Sequence, residues 1–274
     1  FNVPTVVSGM VMAVLVGGVL LGGIKRIASV AGKLVPFMAA LYMTATFLIL
    51  VMNAPAIPAA IILVVDSAFN GAAATGGFAG ATLMLALRMG IARGIFSNEA
   101  GLGSAPIAHA AAETNSPVRQ GTIAMLGTFI DTLVICTMTG LVLIVTGVWS
   151  GEPQGAAMTL AAFTGALPYG DIILSLCVAL FAFTTMLGWS YYGERCAEFL
   201  LGTRVITPFR VLWVIGIFVG TQMSLELVWK MTDALNGLMA IPNLIALLLL
   251  SPIVFKLTRE YFEKENREEA TTSE

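Results

Sequence analysis

The chain is poor in charged residues. Of its 274 residues, 11% are charged and 58% are hydrophobic, whereas a soluble globular domain carries roughly 25% charged residues. The mean hydropathy of +0.91 points the same way. This balance excludes a soluble enzyme and indicates an integral membrane protein. The sequence also lacks a basic patch, so we expect no nucleic-acid partner.

Histidine and cysteine are scarce as well. The single histidine, His109, excludes a histidine relay and any metal site built from several histidines. The three cysteines, Cys136, Cys177 and Cys196, stand apart without CxxC spacing, so we expect small buried hydrophobic side chains. With one histidine and no GxSxG motif, an intramembrane hydrolase is disfavoured. The chain begins at Phe1 without a charged leader, and we expect a truncated start rather than a signal peptide.

Apolar runs of about 20 residues, long enough to cross a bilayer, recur along the chain. The sequence predicts an all-α polytopic membrane protein with about seven transmembrane helices, at 3–23, 35–52, 78–113 (a broken helix), 123–149, 172–192, 211–228 and 235–257. Two shorter apolar pieces, 59–69 and 156–167, are predicted to be interfacial or re-entrant. Residues 1–258 would form one transmembrane domain, and residues 259–274 a frayed, charged cytoplasmic tail.

Lys and Arg are unevenly distributed among the predicted loops. They concentrate after the first span, near the end of the third, after the fifth and after the seventh. The positive-inside rule then places the beginning of the chain outside the cell membrane and the tail in the cytoplasm.

The segment 88–120 cannot be an ordinary span. An apolar lead-in runs into Phe96-Ser97-Asn98-Glu99, and Gly101 and Gly103 follow before a second helix-favouring run. Irregular backbone at membrane depth is tolerated where it is buried in protein or lines a watery cavity, so the break marks a candidate site. Carbonyls of one half-helix and amide groups of the other, near 101–104, could hold the two charges of an amino acid.

The ionisable residues of this region and of the next predicted span allow more than one interpretation. Glu99 could bind a cation or a proton, or lock the break by accepting backbone amides or pairing with Arg93. Arg93 could itself meet a substrate carboxylate or face the protein interior. Asp131 lies in the predicted fourth span, where an acidic residue is functional by default. A helix–helix hydrogen bond or a role near Arg119 competes with that interpretation. For His109 we expect a packing or capping role.

Four motifs carry a resemblance to a known family. They are GIARGIFSNEAGLGSAPIAHAAAETNSPVRQG, GTFIDTLVICTMTGLVLIVTG, LFAFTTMLGWSYYGE and NGLMAIPNLIALLLLSP. The chain resembles the sodium:alanine/glycine symporters over essentially its whole length. The resemblance implies part of a leucine-transporter-like (LeuT-like, APC superfamily) inverted-repeat fold. The family is longer at its N-terminus, where a glycine-rich broken helix, unmatched here, forms the other half of the binding site.

The resemblance also implies the site residues. The substrate pocket would be lined by Gly94, Ile95, Phe96, Ser97 and Asn98. Sodium would be held by the paired hydroxyls of Thr184 and Thr185, although threonines in membrane helices also back-bond to the preceding turn. Trp189 lies four residues past Thr185 on the same helix face. With Phe96 it could restrict the pocket to alanine or glycine, or it could be a lipid-interface anchor.

The function implied is not enzymatic. It is sodium-coupled symport of a small neutral amino acid, alanine or glycine, by alternating access, with the lipid bilayer as surroundings and no cofactor apart from the co-transported sodium ion. A proton-coupled permease, using Glu99 or Asp131, is an alternative within the same class. A non-transporting membrane scaffold or receptor is an alternative from a different class. The sequence leaves the oligomeric state open.

Overall fold

The computed structural model describes residues 3–69, 79–151 and 155–272. Within these ranges the chain is helical and contains no strand. We number the α-helices in chain order: α1 Thr5–Leu20, α2 Gly23–Met52, α3 Ile57–Phe69, α4 Ala79–Asn98, α5 Ala105–His109, α6 Pro117–Thr128, α7 Thr137–Val145, α8 Ala156–Ala166, α9 Gly170–Leu201, α10 Ile206–Gly220 and α11 Leu225–Thr272. A π-helical segment, Phe129–Cys136, joins α6 to α7 without a break.

Five helices in the described ranges are long and apolar enough to cross a membrane: Gly23–Met52, Pro117–Val145, Gly170–Leu201, Thr203–Gly220 and Leu225–Lys264. Shorter apolar helices are Thr5–Leu20, Ala54–Phe69 and Ala156–Ala166. An all-helical polytopic membrane protein is therefore confirmed. The count of seven spans and the leucine-transporter-like arrangement stay predictions.

The predicted sixth span, 211–228, is wrong at its end. α10 stops at Gly220, a turn covers residues 221–224, and α11 starts at Leu225. Thr221 turns its hydroxyl back to the carbonyl of Phe218, at 2.7 Å, and its amide still bonds to the carbonyl of Ile217. The apolar residues that continue to Val228 belong to the next helix. Hydropathy therefore missed the boundary because both sides of the turn are apolar.

The tail is also more ordered than expected. α11 continues without interruption to Thr272, so the frayed tail predicted from residue 259 onward is wrong over the described part. Oppositely charged residues four apart face each other there, with Arg259 donating to Glu263 at 2.7 Å. Such pairs support an exposed helix by a few tenths of a kcal/mol each, about 0.2–0.5. A charged composition alone did not reveal this regular spacing.

The helices form two compact units. The first comprises residues 1–89 and 133–224. In it α2 packs along α9, and α1 packs along α10. One apolar cluster includes Ala13, Val16, Val19, Leu20, Ile27, Leu187 and Ile217. A second includes Ala45, Ile49, Leu50, Val142, Ala162, Phe163 and Leu174.

Small residues allow α1 and α10 to approach closely. A side chain at Gly9 would clash with the hydroxyl of Thr221, and one at Gly17 would lie 3.3 Å from Val214. Helix association in lipid depends on this kind of close van der Waals contact, because the hydrophobic effect no longer distinguishes protein from surroundings. The two glycines thus set the α1–α10 spacing.

The cysteines differ from expectation. Cys177 is buried in the first unit, but Cys136 and Cys196 are exposed. The prediction that all three are buried is therefore wrong for Cys136 and Cys196.

The second unit comprises residues 90–132 and 225–274. It contains the last turns of α4, the connection to α5, α6, the start of the π-helical segment and α11. Its buried residues include Leu102 and Ser104, which both lie in the connection after α4. The most enclosed part of this unit is therefore the broken helix itself.

A buried ion pair joins α9 to α10 in the first unit. The carboxylate of Glu194, whose side chain is 4% exposed, accepts two hydrogen bonds from the Arg210 guanidinium, at 2.6 and 2.9 Å. Arg195 is a further donor, at 3.3 Å. Bidentate geometry of this kind makes the pair stronger and directional. The pair therefore fixes the angle at which α10 leaves the end of α9.

We expect Glu194→Gln to destabilise the protein, because Arg210 would lose its charge partner inside the unit. Breaking a buried pair costs about 3–5 kcal/mol, and the partly exposed Arg210 places this pair near the lower figure. The melting temperature in detergent should fall by about 5 °C or more. Glu226→Gln, which removes the exposed Glu226–Lys230 pair, is the matched control and should change it by about 1 °C or less. Equal shifts in the two variants would contradict the role of the buried pair.

Candidate functional site

The interruption of the helix lies at residues 99–104. α4 ends at Asn98, and α5 begins at Ala105. Between them Glu99, Gly101 and Gly103 adopt left-handed conformations, with φ of 56°, 84° and 87°. Glycine adopts this conformation freely, whereas a residue with a Cβ does so at a cost of about 1–2 kcal/mol. The left-handed backbone at Glu99 therefore makes this break conformationally unfavourable at that residue.

The Glu99 side chain bridges the break that its backbone begins. Its carboxylate accepts a hydrogen bond of 2.8 Å from the hydroxyl of Ser104, and Ser104 is 1% exposed. The carbonyl of Glu99 accepts from the amide of Leu102, at 3.3 Å. Glu99 thus closes the connection between α4 and α5 through Ser104, whereas the lock was expected to use backbone amides or Arg93, which pairs with Asp233. Binding of a cation or proton by Glu99 stays a prediction.

A polar network ties the end of α4 to the π-helical segment. Ser97 donates to the Asp131 carboxylate at 2.8 Å, and the amide nitrogen of Asn98 donates to the Thr132 hydroxyl, also at 2.8 Å. Thr132 in turn donates to Asp131 at 3.3 Å. Each of these side chains supports the next, so the network is stiffer than isolated pairs would be. The pair Asp131–Thr132 therefore positions Ser97 and Asn98.

The side-chain amide of Asn98 forms hydrogen bonds through both its nitrogen and its oxygen. Its nitrogen donates to Thr132, and its oxygen accepts from the backbone amide of Ala100 at 2.9 Å. The second contact satisfies an amide group just past the end of α4 and helps the chain turn out of the helix. In this arrangement the Asn98 side chain holds the backbone at the end of α4, and its contact with a substrate stays a prediction.

The π-helical segment explains why Asp131 and Thr132 reach α4 together. A π-helix closes hydrogen bonds five residues back, which widens the turn and shifts the direction of the side chains by comparison with an α-helix. Both residues lie within Phe129–Cys136. Such segments occur frequently at functional sites, and the apolar sequence around Asp131 gave no sign of it.

The last turns of α4 also contact the beginning of α11. Arg93 forms an ion pair with Asp233, and its guanidinium lies over the ring of Trp229, 4.2 Å from the ring centre. Phe96 meets the same ring edge-on, with ring centres 6.0 Å apart. Sequence reasoning missed Trp229 and Asp233. The signal available was their i, i+4 spacing, which places both on one face of a helix.

The other predicted pocket residues of α4 point in different directions. A Cβ at Gly94 would have no described atom within 4 Å, and Ile95 is 38% exposed. The helix is regular through Asn98, so successive side chains diverge by about 100°. The side chains at positions 94–98 therefore point to several sides of α4, and the role of Gly94, Ile95, Phe96, Ser97 and Asn98 in lining a substrate pocket stays a prediction.

The predicted sodium residues lie on α9 in the first unit. Thr184 is buried, and its hydroxyl donates back to the carbonyls of Leu180 and Phe181, at 3.0 and 3.1 Å. Thr185 is exposed on the adjoining face. Donation to the backbone fixes the hydroxyl hydrogen of Thr184, while the oxygen keeps lone pairs for a cation. A cation bound to both residues would lie where their two faces meet.

Trp189 and Phe96, predicted to enclose the pocket, belong to different units. Trp189 is half-buried and meets Tyr192 edge-on, with ring centres 5.8 Å apart. Each of the two rings thus has an aromatic neighbour in its own unit.

The second half of the broken helix is shorter than expected. α5 covers only Ala105–His109, so it offers a small helix dipole, and the run through Ala112 turns away as a loop. The Nδ1 atom of His109 lies 2.8 Å from the side-chain nitrogen of Gln120 on α6. This contact joins α5 to α6 and gives His109 a structural partner.

Comparisons with known proteins agree on one family. The model of the sodium:alanine symporter family matches residues 1–274. An uncharacterized transporter of Haemophilus influenzae is 49% identical over 267 residues, which cover 96% of this chain and 59% of the relative. The sodium/alanine symporter AgcS of Methanococcus maripaludis is 47% identical, covering 96% and 58%. The probable sodium/glutamine symporter GlnT of Bacillus subtilis is 37% identical, covering 95% and 54%. The chain spans somewhat more than half the length of these relatives.

The geometry of the break predicts opposite effects for two glycine substitutions. Gly103→Ala should destabilise the protein by about 1–2 kcal/mol, because φ is 87° and the new Cβ would lie 3.2 Å from the Asn243 side chain. Gly121→Ala, the control inside α6, has no described atom within 4 Å of the new Cβ. It should be neutral or stabilise by up to about 1 kcal/mol. Thermal unfolding in detergent checks both, and a stabilising Gly103→Ala would contradict the described break.

Proposed function

Because this chain belongs to the sodium:alanine symporter family, we propose that the full-length protein is a multi-pass symporter that couples the sodium gradient to uptake of a small neutral amino acid. The relatives carry transporter names, and two of them are named as sodium symporters for alanine and for glutamine. The chain covers somewhat more than half of those relatives, so the proposal concerns the full-length protein.

The interrupted helix is the observation that carries this proposal. Residues 99–104 leave helical geometry between two apolar halves, and Asp131 and Thr132 hold the polar residues at its edge by hydrogen bonds. A break of this kind is costly in lipid unless it surrounds a ligand or lines a cavity. Interrupted helices near the bilayer midplane bind substrate and coupling ions in secondary transporters.

Alanine is the first substrate to test. The family resemblance implies that the substrate binds beside Phe96 and Ser97, and a neutral zwitterion would add no net charge to this region. Asp131 is engaged by two hydroxyl donors, and Arg93 is paired with Asp233. Alternating access of the whole protein would then expose this region to one side of the membrane at a time.

The proposed sodium site rests on Thr184 and Thr185. Sodium is a hard cation that prefers oxygen ligands. The buried hydroxyl of Thr184 is oriented by two carbonyls of its own helix, which leaves its oxygen ready to coordinate without a buried net charge. Thr185 would provide the neighbouring oxygen from the exposed face.

The test is uptake of labelled alanine by proteoliposomes of the full-length protein, with and without an inward sodium gradient. We expect sodium to drive uptake. Thr184→Ala should raise the sodium concentration for half-maximal uptake by about tenfold or more, and Thr184→Ser should restore it. Thr146→Ala is a matched control, because Thr146 back-bonds to two carbonyls of its own helix in the same way, and it should leave the sodium dependence unchanged.

Each other outcome contradicts a stated part of the proposal. Uptake that follows a proton gradient and ignores sodium would overturn the coupling ion and direct attention to Asp131 and Glu99. Saturable alanine binding without uptake would indicate a receptor. An unchanged sodium dependence in Thr184→Ala would remove that residue from the sodium site while leaving symport intact.

A further inference from the structure

Two helix faces meet beside the break in the second unit. Arg93 and Phe96 are three residues apart on α4, and Trp229 and Asp233 are four residues apart on α11, so each pair shares a face of its helix. Arg93 pairs with Asp233, 140 residues further along the chain, and both Arg93 and Phe96 contact Trp229. The residues from α11 have no part in the site that the sequence predicts.

Trp229 is the centre of this cluster. One face of its indole carries the Arg93 guanidinium at 4.2 Å, and Phe96 meets the same ring edge-on at 6.0 Å. Both geometries are favourable, the first because the ring face is electronegative and the second because a ring edge is electropositive. A single side chain from α11 thereby fixes the positions of two side chains on the last turns of α4.

Asp233 completes the arrangement. Its carboxylate accepts a hydrogen bond from Arg93, and the two side chains are 39% and 35% exposed. At this exposure an ion pair adds little stability, but it sets the direction in which the guanidinium lies. Asp233 therefore holds Arg93 over the Trp229 ring, and Arg93 in turn limits the rotation of that ring.

Phe96 is where this cluster reaches the proposed substrate. It precedes Ser97, whose hydroxyl is fixed by Asp131, so the backbone on one side of Phe96 is anchored. The direction of its ring depends on Trp229. A phenyl ring that cannot swing away sets the room left for the side chain of an amino acid. Family membership does not determine how much space the pocket leaves for the substrate side chain, because relatives are named for substrates as different in size as alanine and glutamine.

We propose that Trp229 is a specificity-determining residue of the symporter, which fixes the Phe96 ring and so limits the size of the amino-acid side chain, and that Asp233 is a positioning residue acting through Arg93. This inference rests on the proposed function. It adds α11 as a second wall of the substrate region, beside the π-helical segment.

The test measures selectivity rather than activity alone. Full-length protein in proteoliposomes takes up labelled alanine in a sodium gradient, and unlabelled alanine, valine, leucine and glutamine compete. The readout is the ratio of the inhibition constant of each larger amino acid to that of alanine. Variants are Trp229→Ala, Trp229→Leu, Trp229→Phe and Asp233→Asn. Trp149→Ala is the matched control, since Trp149 is 50% exposed where Trp229 is 40% exposed.

We expect Trp229→Ala and Trp229→Leu to lower the ratio for the larger amino acids by about tenfold or more, which is the scale on which one or two methylene groups are discriminated. Trp229→Phe keeps a ring against Phe96 and should stay within about threefold of wild type. Asp233→Asn should shift the ratio in the same direction by a smaller factor. Trp149→Ala should leave every ratio unchanged.

Two results would overturn the inference. In the first, Trp229→Leu and Trp229→Ala retain the wild-type ratios, whether uptake is normal or uniformly reduced. In the second, Trp229→Phe loses selectivity as fully as Trp229→Leu. If Trp229→Ala does not reach the membrane, the comparison of Leu with Phe decides. The proposed function fails separately, when wild-type protein shows no sodium-driven uptake of any of these amino acids.

Discussion

The fold depends on one constraint, which is that backbone amide and carbonyl groups inside a bilayer need partners within the protein. Helices satisfy it along most of this chain, and residues 99–104 do not. There side chains provide hydrogen-bond partners. The Asn98 side chain accepts a hydrogen bond from the backbone amide of Ala100, and Glu99 accepts one from the Ser104 hydroxyl across the gap. The left-handed backbone at Glu99 shows that the break costs energy. Irregular backbone at membrane depth is tolerated where it is buried in protein or lines a watery cavity.

Two other segments of the second unit support this interruption. Asp131 and Thr132, placed by the π-helical segment, fix Ser97 and Asn98. The first turns of α11 hold the more N-terminal part of the same helix through Arg93 and Phe96. Two helices distant in sequence thus determine the geometry of the last turns of α4. A site built in this way is preorganised, because its polar groups are already oriented before any ligand arrives.

The first unit follows a different principle. Its two apolar clusters and the close α1–α10 contact at Gly9 are ordinary helix packing. Its exceptions are polar groups on α9, where Thr184 and Glu194 are both buried. Glu194 is neutralised by Arg210, whereas Thr184 is satisfied by its own helix without any net charge. A hydroxyl of that kind is suited to a cation, which brings its own charge.

By itself the sequence determined the membrane class, the position of the break and the residue types within it, because hydropathy, glycine and polar clusters are local signals. It also led to the family through its motifs. It misplaced the boundary between α10 and α11, because apolar residues flank the turn at 221–224. It also missed the helical tail, because helix formation there depends on the spacing of opposite charges more than on the number of charges. Only the tertiary structure decided which side chains meet. Ser97 finds Asp131 34 residues away, and Arg93 finds Asp233 140 residues away. Such pairings depend on how whole helices pack, which no local pattern of residues contains.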